Sequence, residues 1–269
     1  AVMVKAVPLW LKIATVVFIA LIVVVMLAPL VVVIGTSFSA NQFIAFPPKG
    51  FSLEWYQKVL SSSAYLSSGA LSLGIALLVT LSSVTIGGAA AIAIHRRQLP
   101  QSELLGALFL SPLILPTIIY AIGLLMFWSA AFGPVSFVTL WIGHTAITLP
   151  YVVRTTLAVL SESDPFIEEA ARTMGAGRIQ RLVFVVLPQC RPGLAAGAFF
   201  AFNISFDEAV LSLFLRTPDM TTLPVQIYGQ LEFSPDPSVA AVSTIMIALT
   251  VILILVIDRV LGIRKFASA

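Results

Sequence analysis

Six separate stretches of this chain run for more than 20 residues with very little charge, near 13–35, 66–94, 104–128, 135–157, 192–215 and 239–261. A helix needs about 20 apolar residues to cross a bilayer. Lipid offers no partners to backbone N–H and C=O groups, so runs of this kind must bond within themselves as helices. The expectation is therefore an all-α membrane protein, residues 1–269 forming a single domain of about six transmembrane helices. The composition agrees, because 10% of the 269 residues are charged against roughly 25% in a soluble domain. Lys5 and Lys12 precede or open the first run. That run outlasts the apolar core of a signal peptide, and no clear small-residue cleavage site follows it, so it is read as a retained span.

Basic residues divide unequally between the loops. With the N-terminus inside, the inner side holds Lys5, Lys12, Arg96, Arg97, Arg154, Arg172, Arg178, Arg181, Arg191, Arg259, Arg264 and Lys265, and the outer side only Lys49, Lys58 and Arg216. An excess of Lys and Arg marks the cytoplasmic side, so both termini are expected there. Cys190 is the only cysteine, which excludes an internal disulfide and a cysteine-ligated metal cluster. The net charge of +3 comes with no basic, aromatic-interleaved stretch, so no nucleic-acid partner is expected. No Gly-x-x-x-x-Gly-Lys-[Ser/Thr] is present, so ATP phosphates would have to be held by another chain. No metal-ligand spacing of His, Asp and Glu stands out, and the chain is not expected to be an enzyme.

Three loops are long enough to carry function. Residues 36–65 are expected outside; Ser52 can cap a short helix there, and Trp55 and Tyr56 suit either the headgroup layer or contact with an external partner. Residues 216–238 are also external. Residues 158–191 are cytoplasmic and the most informative. In Asp164-Pro165-Phe166-Ile167-Glu168-Glu169-Ala170-Ala171-Arg172-Thr173-Met174-Gly175, Asp164 is a good N-cap and Pro165 suits the first helical position. Glu168 and Arg172 form an i,i+4 pair in the favourable order, and Gly175 can close the helix with a positive φ. A helix of about ten residues is too short to be stable alone. Its stripe of Phe166, Ala170 and Met174, with Ala171 beside it, suits a groove on a partner; packing on its own bundle is the alternative. A second short helix near 178–186, ended by Leu187-Pro188, is expected before the fifth span begins after Pro192.

The same loop carries a family pattern. Glu169-Ala170-Ala171, three residues, Gly175, nine residues, then Val185-Val186-Leu187-Pro188 resembles the EAA motif of bacterial ABC importer permeases, differing only in Val185 for isoleucine. Weaker pieces, Phe51-Ser52-Leu53-Glu54-Trp55-Tyr56, Ser205-Phe206-Asp207-Glu208 and Leu223-Pro224-Val225-Gln226-Ile227-Tyr228, are most similar to the second permease of spermidine/putrescine-type transporters. The resemblance covers most of the chain. It implies the type I importer fold and a place in the bacterial inner membrane. It further implies a second permease chain, a different one with a second copy of this chain as the alternative, two cytosolic ATPase subunits that bind ATP and Mg, and a periplasmic or extracellular solute-binding protein. It also implies that Glu169, Ala170, Ala171, Gly175, Leu187 and Pro188 couple the permease to the ATPase.

The fifth run is unusual for its polar residues, Asn203, Ser205, Asp207 and Glu208. A charge at the bilayer centre costs about 2.5–3.5 kcal/mol on insertion scales, so two adjacent acids are not expected to face lipid. Asp207 falls ~22 Å along a helix starting at Pro192, in the outer half, with Asn203 on the same face. Asn203, Asp207 and Glu208 can border a pathway for a polyamine or similar cation; a polar helix contact is the bland alternative, as it is for His144. Gly193, Gly197, Ala201, Ser205 and Ala209 form a small-residue stripe read as packing. Pro112 and Pro116 are expected to kink the third span. Two other readings remain: a secondary transporter or channel using Asp207, Glu208 and His144, or an ABC permease for opines or other amino-acid-like solutes.

Overall fold

The computed structural model describes residues 8–96 and 101–261. Lys5, Arg97, Arg264 and Lys265, which enter the charge asymmetry, lie outside the described residues. Among the described residues the named elements are all helical: α1 Leu9–Ser37, α2 Glu54–Ser61, α3 Ser63–His95, α4 Ser102–Leu110, α5 Thr117–Ala131, α6 Phe137–Glu162, α7 Pro165–Thr173, α8 Arg178–Arg181, α9 Leu187–Asp207, α10 Ala209–Leu215, α11 Leu223–Phe233 and α12 Ser238–Leu261. The chain forms two compact units, Ala1–Ser62 with Gln230–Ala248, and Ser63–Gly229 with Leu249–Ala269.

In the first unit, α1 is apolar all round, and the most apolar part of it is fully exposed. Such a surface requires lipid or another subunit against it. The segment leading into α2 is tied down rather than anchored in headgroups. The sequence places Trp55 and Tyr56 at the membrane interface; the structure instead buries Trp55. Its Nε1 donates to the Ser39 carbonyl at 3.0 Å, and the Tyr56 hydroxyl lies 2.7 Å from Ser37 Oγ. Buried indole and phenol groups take polar partners where they find them, and here the end of α1 supplies them. Lys58 Nζ meets Asp236 Oδ2 at 2.7 Å.

The second unit is organised around α3, α6 and α9, which pack on one another. Gly193 and Gly197 explain how closely α9 meets α6. A Cβ on Gly193 would stand 2.7 Å from the Thr155 carbonyl oxygen, and one on Gly197 2.8 Å from Val152 Cα. Small residues four apart let two backbones touch. Polar residues inside the bundle face each other, as with Ser83 and Thr148 at 2.7 Å. An apolar cluster of Ile75, Val79, Ala121, Leu140, Leu211 and Leu215 fills the space between α3, α5, α6 and α10.

Four described helices are long and apolar enough to cross a membrane, five if a bent pair counts as one span. The fourth expected span corresponds to α6, which at 26 residues is long enough but is more polar, with His144 and several threonines turned into the bundle. Two expected spans are redrawn. The third is broken rather than kinked: Leu104–Leu113 and Thr117–Ala131 meet at 103°, where Pro112 and Pro116 remove backbone donors within five residues. The fifth does not begin after Pro192. Arg178–Asp207 is one 30-residue helix, carried past Pro188 by a π-helical turn over Leu182–Val186. The wider turn re-pairs Leu182 O with Leu187 N–H, just before a proline that cannot donate. The helix then stops at Asp207, and α10 starts anew after Glu208.

Candidate functional site

The 158–191 loop holds the expected short helix as α7. Asp164 caps it, accepting from the Phe166 N–H at 2.9 Å, and Gly175 turns the chain at φ 89°. Phe166 and Met174 are 71% and 87% exposed. Glu169 and Ala170 are exposed beside them, Ala171 is half-buried, and Leu187 and Pro188 lie below on α9. The helix thus presents an apolar, unpartnered face. Glu168 departs from the expected pairing with Arg172. Its Oε1 accepts from Arg96 Nη2 at 2.6 Å and Arg181 Nε at 3.4 Å, because those guanidinium groups converge from α8 and the end of α3. Behind α7 lies a polar cavity of about 400 Å³ that includes Arg96, Asp164, Glu168, Glu169 and Arg172.

The acids of the fifth run sit at a helix break, not along one face. Glu208 is extended (φ −73°, ψ 99°) and caps α10, accepting from the Leu211 N–H at 2.9 Å. It also borders a cavity of about 150 Å³, shared with Pro112, Thr117, Tyr120, Tyr151 and Ile204. That cavity lies where the break before α5 meets the break before α10. Among the described residues no cationic side chain lines it, and the Tyr120 and Tyr151 hydroxyls make no protein hydrogen bond. Asp207 is exposed at the end of α9 and does not line the cavity. Asn203 is half-buried, its amide donating to the Phe199 carbonyl one turn back at 2.9 Å. Of the three expected pathway residues, the structure brings only Glu208 to the cavity.

His144 is fully buried on α6 and bridges this break. Its Nδ1 is 3.0 Å from Ser205 Oγ on α9, and its Nε2 is 3.1 Å from Ser212 Oγ on α10. The histidine is thus a packing residue that ties the two helix segments together. Sequence reasoning missed Tyr120 and Tyr151 beside Glu208, and Arg96 and Arg181 as partners of Glu168. Prolines one and four residues ahead of the tyrosines were a local hint; the arginine pairing left no trace in spacing.

Long apolar helices, with an amphipathic loop helix that exposes Phe166 and Met174, define a membrane subunit built to meet other chains. The chain belongs to the family of binding-protein-dependent transport system inner membrane components, which matches residues 83–264. It is a multi-pass inner-membrane permease subunit of an ABC importer and not itself an enzyme. It is similar to the spermidine/putrescine transport system permease protein PotC of Escherichia coli K12, 28% identical over 227 residues, covering 84% of this chain and 86% of PotC. The putrescine transport system permease protein PotI of the same strain is 27% identical over 227 residues, covering 82% of this chain and 80% of PotI. A chain of the bacterial alginate ABC transporter, solved in complex with an alginate pentasaccharide-bound periplasmic protein, shares the fold. Its TM-score is 0.73 at 13% identity, with 93% of each chain covered.

Proposed function

We propose that this chain forms one half of the pathway of an importer for a small organic cation of the polyamine kind. The observation that carries the reading is Glu208, a carboxylate set at a helix break beside a small cavity that, among the described residues, holds two phenol hydroxyls without a protein partner and no competing cation. Discontinuous membrane helices expose backbone and side chains where they line a solute path. A primary ammonium donates three hydrogen bonds and is attracted to aromatic faces, so a carboxylate and two tyrosines suit it. Asp207, exposed one residue earlier, adds a second negative charge; Asn203, bonded to its own helix, contributes no direct contact. The names of PotC and PotI support the same substrate class.

In this proposal a second, different permease chain completes the pathway, and a homodimer is the alternative arrangement. Two ATPase subunits carry ATP and its Mg, and this chain holds no cofactor. The α7 face of Phe166, Ala170 and Met174 docks on an ATPase, with Glu169, Ala171, Gly175, Leu187 and Pro188 setting its position. A periplasmic or extracellular binding protein delivers the solute, and both termini lie in the cytoplasm. The test is uptake by the assembled complex with its binding protein in proteoliposomes. ATP-dependent uptake of labelled putrescine or spermidine, competed by other diamines, is the expected result. Uptake of neutral or anionic solutes such as opines, with none of a diamine, would sink the reading.

A further inference from the structure

We infer that Glu168, Arg96 and Arg181 form a clasp that transmits the movement of the coupling helix to α3 as well as to α9. The inference rests on the reading of α7 as the element that docks on the ATPase. Along the chain α7 is attached by two short links, at Ser163-Asp164 and at Gly175 to Gly177. Through those links alone it would pull on α6 and on α8, which continues into α9, with no direct hold on α3. The ion pairs supply that hold. Glu168 sits about 200° round the helix from Phe166, so it faces away from the docking stripe. Its Oε1 takes Arg96 Nη2 at 2.6 Å and Arg181 Nε at 3.4 Å, and Arg181 Nη1 also donates to the Ala176 carbonyl at 3.0 Å.

One carboxylate therefore joins the C-terminal end of α3, the first turn of α7, and α8, while Arg181 also holds the turn after Gly175. Two of the three charges stand at favourable helix ends: Arg96 follows the C-terminus of α3 and Glu168 lies in the first turn of α7. The three side chains are 18–31% exposed, so water screens them far less than an open surface pair. Since α3 and α9 both pack on α6, a rigid α7 moves the inner bundle as one, whereas a pivoting one reaches α3 only through α6. Glu168 is thus a positioning residue, and its effect is on the yield of transport per ATP, not on docking.

The test compares E168Q, R96Q and the double variant R96Q/E168Q in the assembled, reconstituted complex with its binding protein. Three quantities are read: ATPase subunit co-purification, ATP hydrolysis, and solute taken up per ATP. For each single variant, co-purification at the wild-type level is expected, with uptake per ATP down about five-fold, the low end of coupling effects between sites. The double variant should be no worse than the poorer single one, because both remove the same contact. Wild-type uptake per ATP in E168Q overturns the clasp. So do multiplying effects in the double variant, which would make the two residues independent. Loss of the ATPase subunit in E168Q makes Glu168 a docking residue and overturns it too; should E168Q fail to assemble, R96Q decides alone by the same readings. A171R, placed beside the docking stripe, tests the underlying reading separately: an ATPase that stays bound to it refutes docking through α7, and with it the transmission through the clasp.

Discussion

At the scale of single residues, one carboxylate has two separable tasks. Glu208 caps α10 through Oε1 and lends its charge to the adjacent cavity. E208Q keeps an oxygen acceptor and removes the charge, so it isolates the second task. Losing one charge contact at an effective dielectric near 20 costs about 1–3 kcal/mol, roughly five- to 150-fold in apparent affinity for a cationic solute. E208A removes the cap as well and should cost a further ~1 kcal/mol of stability. Uptake titrations and melting temperatures on purified complex separate the two; equal affinity in E208Q and wild type would leave Glu208 a cap only. Asp236 makes a pH prediction. Burial raises its pKa, but hydrogen bonds from Lys58 and Ser238, with the Lys58 charge, outweigh that and hold the carboxyl below the usual range. A depressed folded-state pKa gives stability that is present above the unfolded value of about 3.9 and lost as pH falls through the folded value. D236N should therefore lower the melting temperature at pH 7, and the gap from wild type should close below about pH 4.

At the scale of elements, the informative features are turns and close approaches. Gly175 at φ 89° turns α7 toward α8 with open space around its Cα, so a side chain there meets backbone strain rather than a clash. A β-branched residue resists that conformation. Gly175→Val should leave the protein in the membrane while weakening ATPase association and abolishing stimulation by the binding protein; wild-type uptake would show that the turn is dispensable. The α6–α9 contact is decided by space. Gly193→Ala gains up to about 1 kcal/mol of helix propensity, but its Cβ would meet the Thr155 carbonyl at 2.7 Å. Overpacking against backbone costs about 1–3 kcal/mol, so the crowding term wins. A lower melting temperature for G193A is expected, and an unchanged or higher one would mean that α6 and α9 separate easily.

At the scale of the whole molecule, the proposed orientation, with both termini inside, rests on the unequal distribution of Lys and Arg. Cys190 is fully buried, so labelling of introduced cysteines reads against a low background. A cysteine at Lys49 should react with an impermeant reagent from outside, and one at Arg178 only after the inner face is opened. The reverse pattern at both positions would invert the topology. The same molecule exposes the apolar side chains of α1 along most of its length, in keeping with a subunit that is completed by lipid and a neighbouring chain.

What the sequence determined by itself is what local chemistry and the lipid solvent impose. Apolar runs in a bilayer must be helices, and Asp164, Pro165 and Gly175 mark the ends of α7 because capping and turn preferences act within a few residues. The motif from Glu169 to Pro188 named the family for the same reason, being a spacing along one chain. Tertiary structure decided the rest. Pro188 reads as a helix stop, yet a π-helical turn carries the helix through it, since packing against α6 outweighs the loss of a backbone bond. The break at Glu208 is held by His144, 64 residues earlier in the numbering, and the partner of Glu168 is not Arg172 one turn along but Arg96, 72 residues away. Trp55, suited by type to the interface, is buried because the end of α1 offers its indole an acceptor. Each of these depends on which helices meet, and a pattern of spacings carries no record of that.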